Sequence, residues 1–199
     1  MIRLNLGSGS NLMPQSEGWT NVDLYGSPDV RCDLENTPWM QTIGMGVAPA
    51  EMYAPFWSES TVDEIQLNHV LEHLGQDTNT FIGIMKEIYR VCKPDAKVII
   101  NVPHPRSDNF INDPTHVRII TPELLALFSK KQCAEVKRLG GANTPLAEYH
   151  GIDLEIEYVQ SVPDPRFEYV ANRPEELQRL SRIYNNVVIE YRMVLRVKK

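Results

Sequence analysis

The sequence is poor in cysteine and has no cysteine pair at a metal-binding spacing. Its three cysteines, Cys32, Cys92 and Cys133, are dispersed over 199 residues. An odd number of widely separated cysteines argues against a disulfide framework and against a cysteine-based zinc site. We therefore expect three buried free thiols, as in a protein of a reducing compartment.

Long apolar runs and dense basic runs are also lacking. No apolar stretch approaches the roughly 20 residues of a membrane helix, and no charged-then-apolar leader opens the sequence. Lysine and arginine number 20 against 26 aspartates and glutamates, a formal charge of −6. Such a balance does not favour phosphate-rich partners. We expect a cytoplasmic protein, a monomer or homodimer, that binds neither membranes nor nucleic acids.

Glycine is used sparingly, but two glycines follow the first apolar run of the chain. Residues 2–6 are strand-like, and Gly7-Ser8-Gly9 comes next. A buried strand that stops at Gly-x-Gly brings bare backbone close to a ligand, because glycine lacks a Cβ and tolerates positive φ. The next apolar run ends at Asp23, whose carboxylate can accept hydrogen bonds from two ribose hydroxyls. This order is typical of nucleoside-cofactor sites in open α/β sheets.

Strand and helix patterns alternate along the chain. Predicted strands cover residues 2–6, 19–24, 30–34, 61–69, 96–102, 152–160 and 187–197. Predicted helices cover 78–92, 121–131 and 174–184. On the first of these helices an apolar stripe faces inward, and Lys86, Glu87 and Arg90 are expected to face solvent. The alternation predicts a doubly wound α/β sheet with an antiparallel pair at its end.

The chain length suits one domain spanning residues 1–199. An irregular stretch at residues 35–57, rich in proline, glycine and methionine, is predicted to be an insertion packed over one end of the sheet. A second irregular stretch, residues 103–120, follows the fifth strand and is predicted to be a loop on the substrate side.

Further motifs arrive in a recognisable order. They are residues 4–9 (LNLGSG), 18–24 (GWTNVDL), 32–34 (CDL), 62–65 (VDEI), 69–73 (HVLEH) and 87–94 (EIYRVCKP), the last running into 98–103 (VIINVP). Together they resemble the class I S-adenosylmethionine-dependent methyltransferases, in particular the small bacterial and phage type (methyltransferase type 11-like) often found near sugar-modifying genes. The resemblance covers roughly the first half of the chain.

This resemblance implies a Rossmann-like methyltransferase fold, a mostly parallel seven-stranded sheet with an antiparallel last strand, and S-adenosylmethionine as cofactor. Asp23 would accept hydrogen bonds from the ribose hydroxyls, and Asp33 would accept one from the exocyclic amine of adenine. The backbone carbonyls of Asn68 and His69 would contact the methionine end. The alternatives are a solvated strand-end acid for Asp23 and a helix cap for Asp33. The implied cofactor-binding residues are Asn5, Gly7, Ser8, Gly9, Asp23, Leu24, Asp33, Leu34, Asn68 and His69.

The sequence departs from the family pattern at several positions. Asn5 stands where an acid precedes the first glycine, Ser10 and Asn11 replace the third glycine, and Asp95 follows Lys-Pro in place of glycine. The insertion is longer than usual. Because Asn5 can still donate and accept hydrogen bonds, we expect the cofactor to bind more weakly or through a different set of hydrogen bonds.

The loop at residues 103–120 holds the candidate catalytic residues. Methyl transfer to a hydroxyl needs alignment of donor and acceptor and a group that takes the proton, for which histidine is well matched. His104 and His116 are the candidates, and Asp113 is a candidate orienter. The alternative is a loop that its polar side chains merely tie down.

His69 and His73 lie one helical turn apart, a spacing compatible with a metal site. No third ligand is evident near them in the sequence, and in the resembling family this pair packs and forms hydrogen bonds. We therefore expect no metal.

The predicted function is methyl transfer from S-adenosylmethionine to a hydroxyl or amine of a small-molecule or glycan-type substrate. One alternative is a non-catalytic S-adenosylmethionine-binding protein of the same fold. Another is an NAD-dependent oxidoreductase, against which the absent third glycine and the lack of a Tyr-x-x-x-Lys pair argue.

Overall fold

The structure, a computed structural model, describes residues 1–42 and 53–199. Its main sheet consists of β1 (Arg3–Leu6), β2 (Trp19–Asp23), β3 (Val30–Arg31), β6 (Val62–Asn68), β7 (Cys92–Pro103), β8 (Leu154–Pro163) and β9 (Val188–Val197). A separate two-stranded sheet pairs β4 (Met40–Thr42) with β5 (Tyr53–Pro55). The α-helices are α1 (Thr78–Val91), α2 (Asp108–Ile111), α3 (Pro122–Ala126), α4 (Lys130–Arg138), α5 (Leu146–His150) and α6 (Pro174–Ile183). Short 3₁₀ helices cover Gln15–Glu17, Leu71–His73 and Pro165–Val170.

The strand order of the main sheet is β3-β2-β1-β6-β7-β9-β8. The first five strands in this order run parallel, whereas β9 is antiparallel to both β7 and β8. The prediction of a mostly parallel seven-stranded sheet with an antiparallel end is confirmed. This is the sheet topology of the class I methyltransferase fold.

The chain direction across the sheet reverses at β1, which has β2 on one side and β6 on the other. Leu6 lies opposite Val22 of β2 and opposite Leu67 of β6. The residues that follow these three positions therefore meet at one edge. In open α/β sheets, ligands bind outside the carboxyl ends of the strands at such a switch point.

The core lies between the sheet and its helices. Leu4, Ile65 and Ile100 of the sheet are buried against Ile84 and Ile88 of α1. The side chain of Asp77 caps α1 by accepting from the backbone N–H groups of Asn79 and Thr80, as an N-cap acid does. A smaller cluster under α6 contains Val170, Leu177, Val187 and Val188.

Glu87 is an exception to the predicted orientation of α1. Its side chain is buried, accepts a 3.0 Å hydrogen bond from the Trp39 backbone N–H and binds the Arg90 guanidinium at 2.7 Å. The expectation that Glu87 faces solvent is wrong, because this carboxylate anchors the segment that leads into β4. Lys86 is exposed, as expected.

The helix predicted at residues 121–131 is also wrong in its extent, since two helices replace it. α3 ends at Ala126, and Ser129 starts α4 by accepting from the Gln132 backbone N–H. The buried Phe128 occupies the break. α5 was not predicted.

The third strand is shorter than predicted, because Asp33 accepts from the Glu35 backbone N–H in a turn. The interior of the predicted insertion, residues 43–52, lies outside the described residues. All three cysteines are buried free thiols, as expected. In the described part of the chain, no helix combines the length and apolarity that crossing a membrane requires.

Candidate functional site

A cavity of about 410 Å³ lies at the carboxyl edge, where β1, β2 and β6 end. Its size is within the range of about 300–1,000 Å³ found for small-molecule sites. Its lining residues are Gly7, Asp23, Leu24, Tyr25, Cys32, Asp33, Leu34, Glu35, His69, Val70, His73 and Leu74. A larger cavity of about 710 Å³ lies beside α1, against Thr37, His150 and Lys199. Only the first is at the switch point of the sheet, so we take it as the candidate site and call it the edge cavity.

The glycine loop forms one wall of the edge cavity. Gly7 and Gly9 adopt φ values of +64° and +50°, in the left-handed region. A Cβ on Gly7 would lie 2.5 Å from a methyl carbon of Val70, whereas a Cβ on Gly9 would meet nothing within 4 Å. The loop therefore needs glycine at position 7 for both conformation and space, and at position 9 for conformation alone.

Asp23 ties the glycine loop to β2. Its Oδ2 accepts a 2.8 Å hydrogen bond from the Gly9 backbone N–H, and its Oδ1 accepts a 2.8 Å hydrogen bond from the Tyr25 backbone N–H. An ionised carboxylate offers about four acceptor positions. The two backbone bonds orient the group and leave acceptor capacity toward the cavity, as a pair of ligand hydroxyls would require.

Apart from its two histidines, His69 and His73, the charged residues that line the edge cavity are all acidic. Asp23, Asp33 and Glu35 line it, and none of the described lining residues is lysine or arginine. The Glu35 carboxylate is held by the Gly75 backbone N–H at 2.7 Å. Carboxylates repel phosphates and attract cations, so this lining favours a ligand with positive charge and donor groups over a dinucleotide.

The Cys32 thiol lines the edge cavity. Burial raises the pKa of the Cys32 thiol to about 11, with the nearby Asp33 and Glu87 charges adding to the effect. The thiolate is the reactive form of cysteine. Cys32 is therefore a packing residue of the wall rather than a nucleophile.

Six of the predicted cofactor residues line the edge cavity: Gly7, Asp23, Leu24, Asp33, Leu34 and His69. Asn5, Ser8, Gly9 and Asn68 do not belong to the lining. Asn5 is buried beneath the loop, where its Nδ2 donates to the Asn11 carbonyl at 2.8 Å and to Asn21 Oδ1 at 2.9 Å. The residue thus holds the loop in place from below.

Ser8 and Asn68 are likewise turned to the protein. Ser8 is buried, and its backbone N–H donates to the Val22 carbonyl. The Asn68 side chain accepts from Asn101 at 2.6 Å and from Gln66 at 3.0 Å.

Sequence reasoning missed six lining residues: Tyr25, Cys32, Glu35, Val70, His73 and Leu74. Val70 and His73 belong to the HVLEH segment, and Leu74 follows it directly. The position of that segment after a central strand was the available signal.

His69 marks the end of β6 with an unusual backbone. Its φ is +52°, a left-handed conformation for a non-glycine residue, and its backbone N–H donates to the Asn101 carbonyl at 2.9 Å. Its Nε2 lies 2.9 Å from Glu190, and its Nδ1 lies 3.5 Å from Glu72. Glu72, assisted by Glu190, raises the pKa of the His69 imidazole. Backbone strain of this kind concentrates at functional sites.

A polar cluster adjoins the edge cavity through His73. We call Glu72, His73 and His116 the histidine–glutamate cluster, because one potential ligand atom from each lies within 4.8 Å of the others. The Leu71–His73 helix supplies two members, and the backbone N–H groups of Val117 and Arg118 donate to the Glu72 carbonyl. These two bonds bring His116 onto the helix, with its ring centroid 4.6 Å from that of His73.

Hydrogen bonds define the tautomers of both cluster histidines. The Nδ1 of His116 lies 2.8 Å from the Phe110 carbonyl, which can only accept, so this nitrogen carries the proton. Thr115 donates its hydroxyl proton to Asp113 at 2.6 Å and so accepts from His73 Nδ1 at 2.9 Å. In each neutral ring the lone pair is therefore on Nε2, as assigned from this network.

The predicted catalytic residues are separated in the structure. His116 and Asp113 lie together, with Nε2 and Oδ2 3.8 Å apart. Hydrogen bonds from Thr115 lower the pKa of the Asp113 carboxyl. His104 instead packs its buried ring against Tyr191 of β9, at 4.9 Å between centroids, and accepts from the Arg106 backbone N–H. Burial, assisted by the Arg106 charge, lowers the pKa of His104 to about 4.

Comparison with known proteins gives similar folds. No protein-family model and no curated protein sequence matches the chain. The crystal structure of a SAM dependent methyltransferase from Archaeoglobus fulgidus superposes with a TM-score of 0.59 at 19% identity, covering 98% of this chain and 85% of that chain.

A second similar structure is 1,6-didemethyltoxoflavin-N1-methyltransferase from Burkholderia thailandensis, solved with 1,6-didemethyltoxoflavin and S-adenosylhomocysteine bound. Its TM-score is 0.51 at 15% identity, with 100% of this chain and 71% of that chain covered. At these identities the likeness is one of fold.

Proposed function

We propose that this chain, which has the class I S-adenosylmethionine-dependent methyltransferase fold, transfers a methyl group from S-adenosylmethionine to a small-molecule or glycan-type acceptor. The observation that carries the proposal is the Asp23 carboxylate, which the Gly9 backbone N–H orients at the wall of an acid-lined cavity at the switch point of the sheet. The Burkholderia thailandensis protein, which shares the fold, was solved with S-adenosylhomocysteine bound.

The residues of the edge cavity suit this cofactor chemically. Asp23 accepts hydrogen bonds from the two ribose hydroxyls, and Asp33 accepts one from the exocyclic amine of adenine. Leu24 and Leu34 pack against the nucleoside. The bare backbone of the loop at residues 7–9 permits close approach. The carbonyls of His69, which lines the cavity, and of the preceding Asn68 would contact the methionine end. Asn5 acts indirectly by holding the loop. The excess of carboxylates complements the positive charge of the cofactor, whereas a pyrophosphate would be repelled.

S-adenosylmethionine supplies a methyl group on a sulfonium sulfur. The acceptor oxygen or nitrogen forms a bond to this carbon while the S–C bond breaks, its electron pair stays on sulfur, and the acceptor releases a proton. The protein contributes alignment, with the reacting atoms held at roughly 3–3.5 Å, and exclusion of water. Since charge is neutralised in the transition state, little further electrostatic stabilisation is required of the chain.

In this proposal His116 takes the proton that the acceptor releases. The Nε2 lone pair of His116 is free, its Nδ1–H is held by the Phe110 carbonyl, and Asp113 lies close enough to orient and stabilise a protonated ring. His104 is a poor proton acceptor near neutral pH, because burial lowers its pKa to about 4 and a proton acceptor works best with a pKa near the operating pH.

The test is transfer of a labelled methyl group from S-adenosylmethionine to a panel of sugars, alcohols, amines and small metabolites. The wild type should label at least one class of acceptor. His116→Gln should reduce kcat by about 100-fold or more, with the affinity for S-adenosylhomocysteine within about twofold of wild type, as expected for a group acting on the acceptor. The matched control is His150→Gln on α5, which should keep full activity.

Tight binding of S-adenosylhomocysteine with no labelled acceptor in the panel would contradict catalysis. That result would favour the alternative of a non-catalytic S-adenosylmethionine-binding protein with the same fold.

A further inference from the structure

Glu72 is a buried acid whose carboxylate oxygens lack hydrogen-bond partners in the described part of the chain. The residue is fully buried, and neither of its carboxylate oxygens has a hydrogen-bond partner within residues 1–42 and 53–199. The nearest basic nitrogen, Nδ1 of His69, lies 3.5 Å from Oε1. Burying a carboxylate without hydrogen bonds is costly. A positive group that Glu72 binds directly would therefore stabilise this position.

Two imidazoles converge on the same point. Glu72, His73 and His116 can each place one ligand atom within 4.8 Å of the others. Bonds of about 2.0–2.2 Å from one ion to nitrogen and oxygen ligands hold neighbouring ligand atoms roughly 3–4 Å apart. Small side-chain adjustments would bring the three groups onto a common ion. Asp113 Oδ2, 3.8 Å from His116 Nε2, already has this spacing.

The surroundings of the two histidines also fit metal ligands. A metal-binding imidazole almost always donates its other N–H to a carbonyl, a carboxylate or a similar acceptor, which fixes the tautomer and the ring orientation. His116 donates to the Phe110 carbonyl, and His73 donates to Thr115, which is itself bound to Asp113. Both Nε2 lone pairs are thereby left without a donor among the described residues.

We propose that the histidine–glutamate cluster binds one divalent cation of the zinc and manganese class. Its ligands are one Glu72 carboxylate oxygen and the Nε2 atoms of His73 and His116, with the remaining positions open to water or substrate oxygen. Imidazole ligands suit first-row transition ions, whereas magnesium prefers oxygen ligands and retains its waters. The ion also places positive charge directly on a carboxylate whose one ion-pair partner among the described residues is the His69 imidazole, 3.5 Å from Oε1.

The position of the cluster suggests a role for the ion, and this role rests on the proposed methyl transfer. His73 lines both the cluster and the edge cavity. A substrate hydroxyl bound to the ion would be oriented and acidified next to the methyl donor. Its proton would leave to solvent past the partly exposed Asp113, and the resulting alkoxide oxygen would take the methyl group. The acceptor class is then an alcohol or sugar hydroxyl. In the metal-bound chain His116 Nε2 is a ligand, so release of the proton to solvent replaces the transfer to His116 proposed above for the metal-free chain.

Calorimetry on the full chain, after removal of metals with a chelator, tests the site. Zinc or manganese chloride should bind with one equivalent per chain, and magnesium chloride much more weakly. Glu72→Gln should weaken zinc and manganese binding by at least about 100-fold. Thr115→Val, which removes the partner of His73 Nδ1, should weaken it about 10–100-fold, and Thr115→Ser, which keeps the hydroxyl, should restore it. His150→Gln is the matched histidine control and should bind like wild type.

Imidazole nitrogen NMR gives a second measurement, in which zinc would cause no change if the histidines had a purely structural role. Zinc should shift the Nε2 resonances of His73 and His116 while their Nδ1–H signals persist, and those of His104 and His150 should stay unchanged. Binding that is absent, or equal in wild type, Glu72→Gln and Thr115→Val, would overturn the proposal.

The same samples are titrated with S-adenosylhomocysteine, which also reports whether each variant is folded. Metal binding without S-adenosylhomocysteine binding would support the ion site and contradict the proposed methyl transfer. S-adenosylhomocysteine binding without stoichiometric metal would overturn the ion site alone.

Discussion

The backbone N–H of Gly9 donates a 2.8 Å hydrogen bond to Oδ2 of Asp23, joining the glycine loop after β1 to the last residue of β2. Asp23 thus has two functions. It holds the loop in its left-handed conformation, and it presents oriented oxygens to the edge cavity. Because the contact crosses the switch point of the sheet, it couples the shape of the loop to the position of the ligand.

Asp23→Asn should weaken the binding of S-adenosylhomocysteine by about 10–100-fold. Hydrogen bonds to a charged group contribute about 1.5–3 kcal/mol each, and about 1.4 kcal/mol corresponds to a tenfold change in affinity. Calorimetry measures the effect, and the exposed Glu148→Gln on α5 is the control of equal charge change. Unchanged affinity in Asp23→Asn would mean that the ribose does not bind there.

The two loop glycines should respond differently to alanine. In Gly7→Ala, positive φ combines with a Cβ 2.5 Å from a Val70 methyl carbon. Left-handed strain of about 1–2 kcal/mol plus overpacking of about 1–3 kcal/mol predicts a loss of about 2–5 kcal/mol in the free energy of unfolding. Gly9→Ala meets no atom within 4 Å and should lose only about 1–2 kcal/mol.

Urea unfolding compares these variants with wild type. In a Val70→Ala background, which removes the clashing methyl groups, Gly7→Ala should cost less than in the wild-type background, whereas the cost of Gly9→Ala should be unchanged. Equal costs for the two glycines in both backgrounds would show that the contact with Val70 does not constrain the loop.

Removing the Glu87 carboxylate should be strongly destabilising. Glu87→Ala leaves the Trp39 N–H without its acceptor and the Arg90 guanidinium without its ion pair. Breaking a buried charge pair by removing one partner costs about 3–5 kcal/mol, and the loss here should lie at the lower end, because Arg90 is partly exposed and keeps its bond to the Trp57 carbonyl. The neighbouring exposed Lys86→Ala should change the free energy of unfolding by less than about 0.5 kcal/mol. A small effect of Glu87→Ala in urea unfolding would refute the anchoring role of this residue.

The free energy of unfolding should decrease as the pH is lowered below about 6.5, and His104 should contribute to this decrease. The folded-state pKa of His104 is lowered to about 4, whereas an unfolded histidine titrates near 6.5. Between these values the unfolded chain binds a proton that the folded chain does not, so the free energy of unfolding falls by at most about 1.4 kcal/mol per pH unit on acidification. Above pH 6.5 this contribution is fully present.

Urea unfolding at pH 7 and pH 5.5 measures this contribution. The loss between the two values should be smaller in His104→Gln than in wild type. Equal losses would contradict the lowered pKa of His104.

Much of the fold could be predicted from the sequence, because its signals are local. Nearby residues in the sequence determine the short apolar strands, the helix over residues 78–92 and the glycine pair. A doubly wound sheet then brings the carboxyl ends of its central strands to one edge. The placement of Gly7 and Asp23 beside each other follows from that rule.

The remaining features depend on contacts between distant segments. Glu87 has the periodicity of an exposed position, and it is buried because it meets Trp39, 48 positions away along the chain. The break between α3 and α4 reflects the burial of Phe128 and the capping by Ser129. The hydrophobic periodicity of a segment carries no information about its contacts with distant segments.

The histidine–glutamate cluster could not be read from spacing for the same reason. Local spacing pairs His69 with His73, whereas in the structure His73 meets Glu72 and His116. His116 reaches the cluster because the backbone of residues 117 and 118 binds the Glu72 carbonyl.

The most direct test of the central claim is calorimetric titration of the wild-type chain with S-adenosylhomocysteine and, separately, with NAD. We expect one equivalent of S-adenosylhomocysteine per chain and no measurable binding of NAD, because carboxylates line the edge cavity and none of its described lining residues is lysine or arginine. Binding of NAD without binding of S-adenosylhomocysteine would contradict the claim and favour a nicotinamide-dependent oxidoreductase.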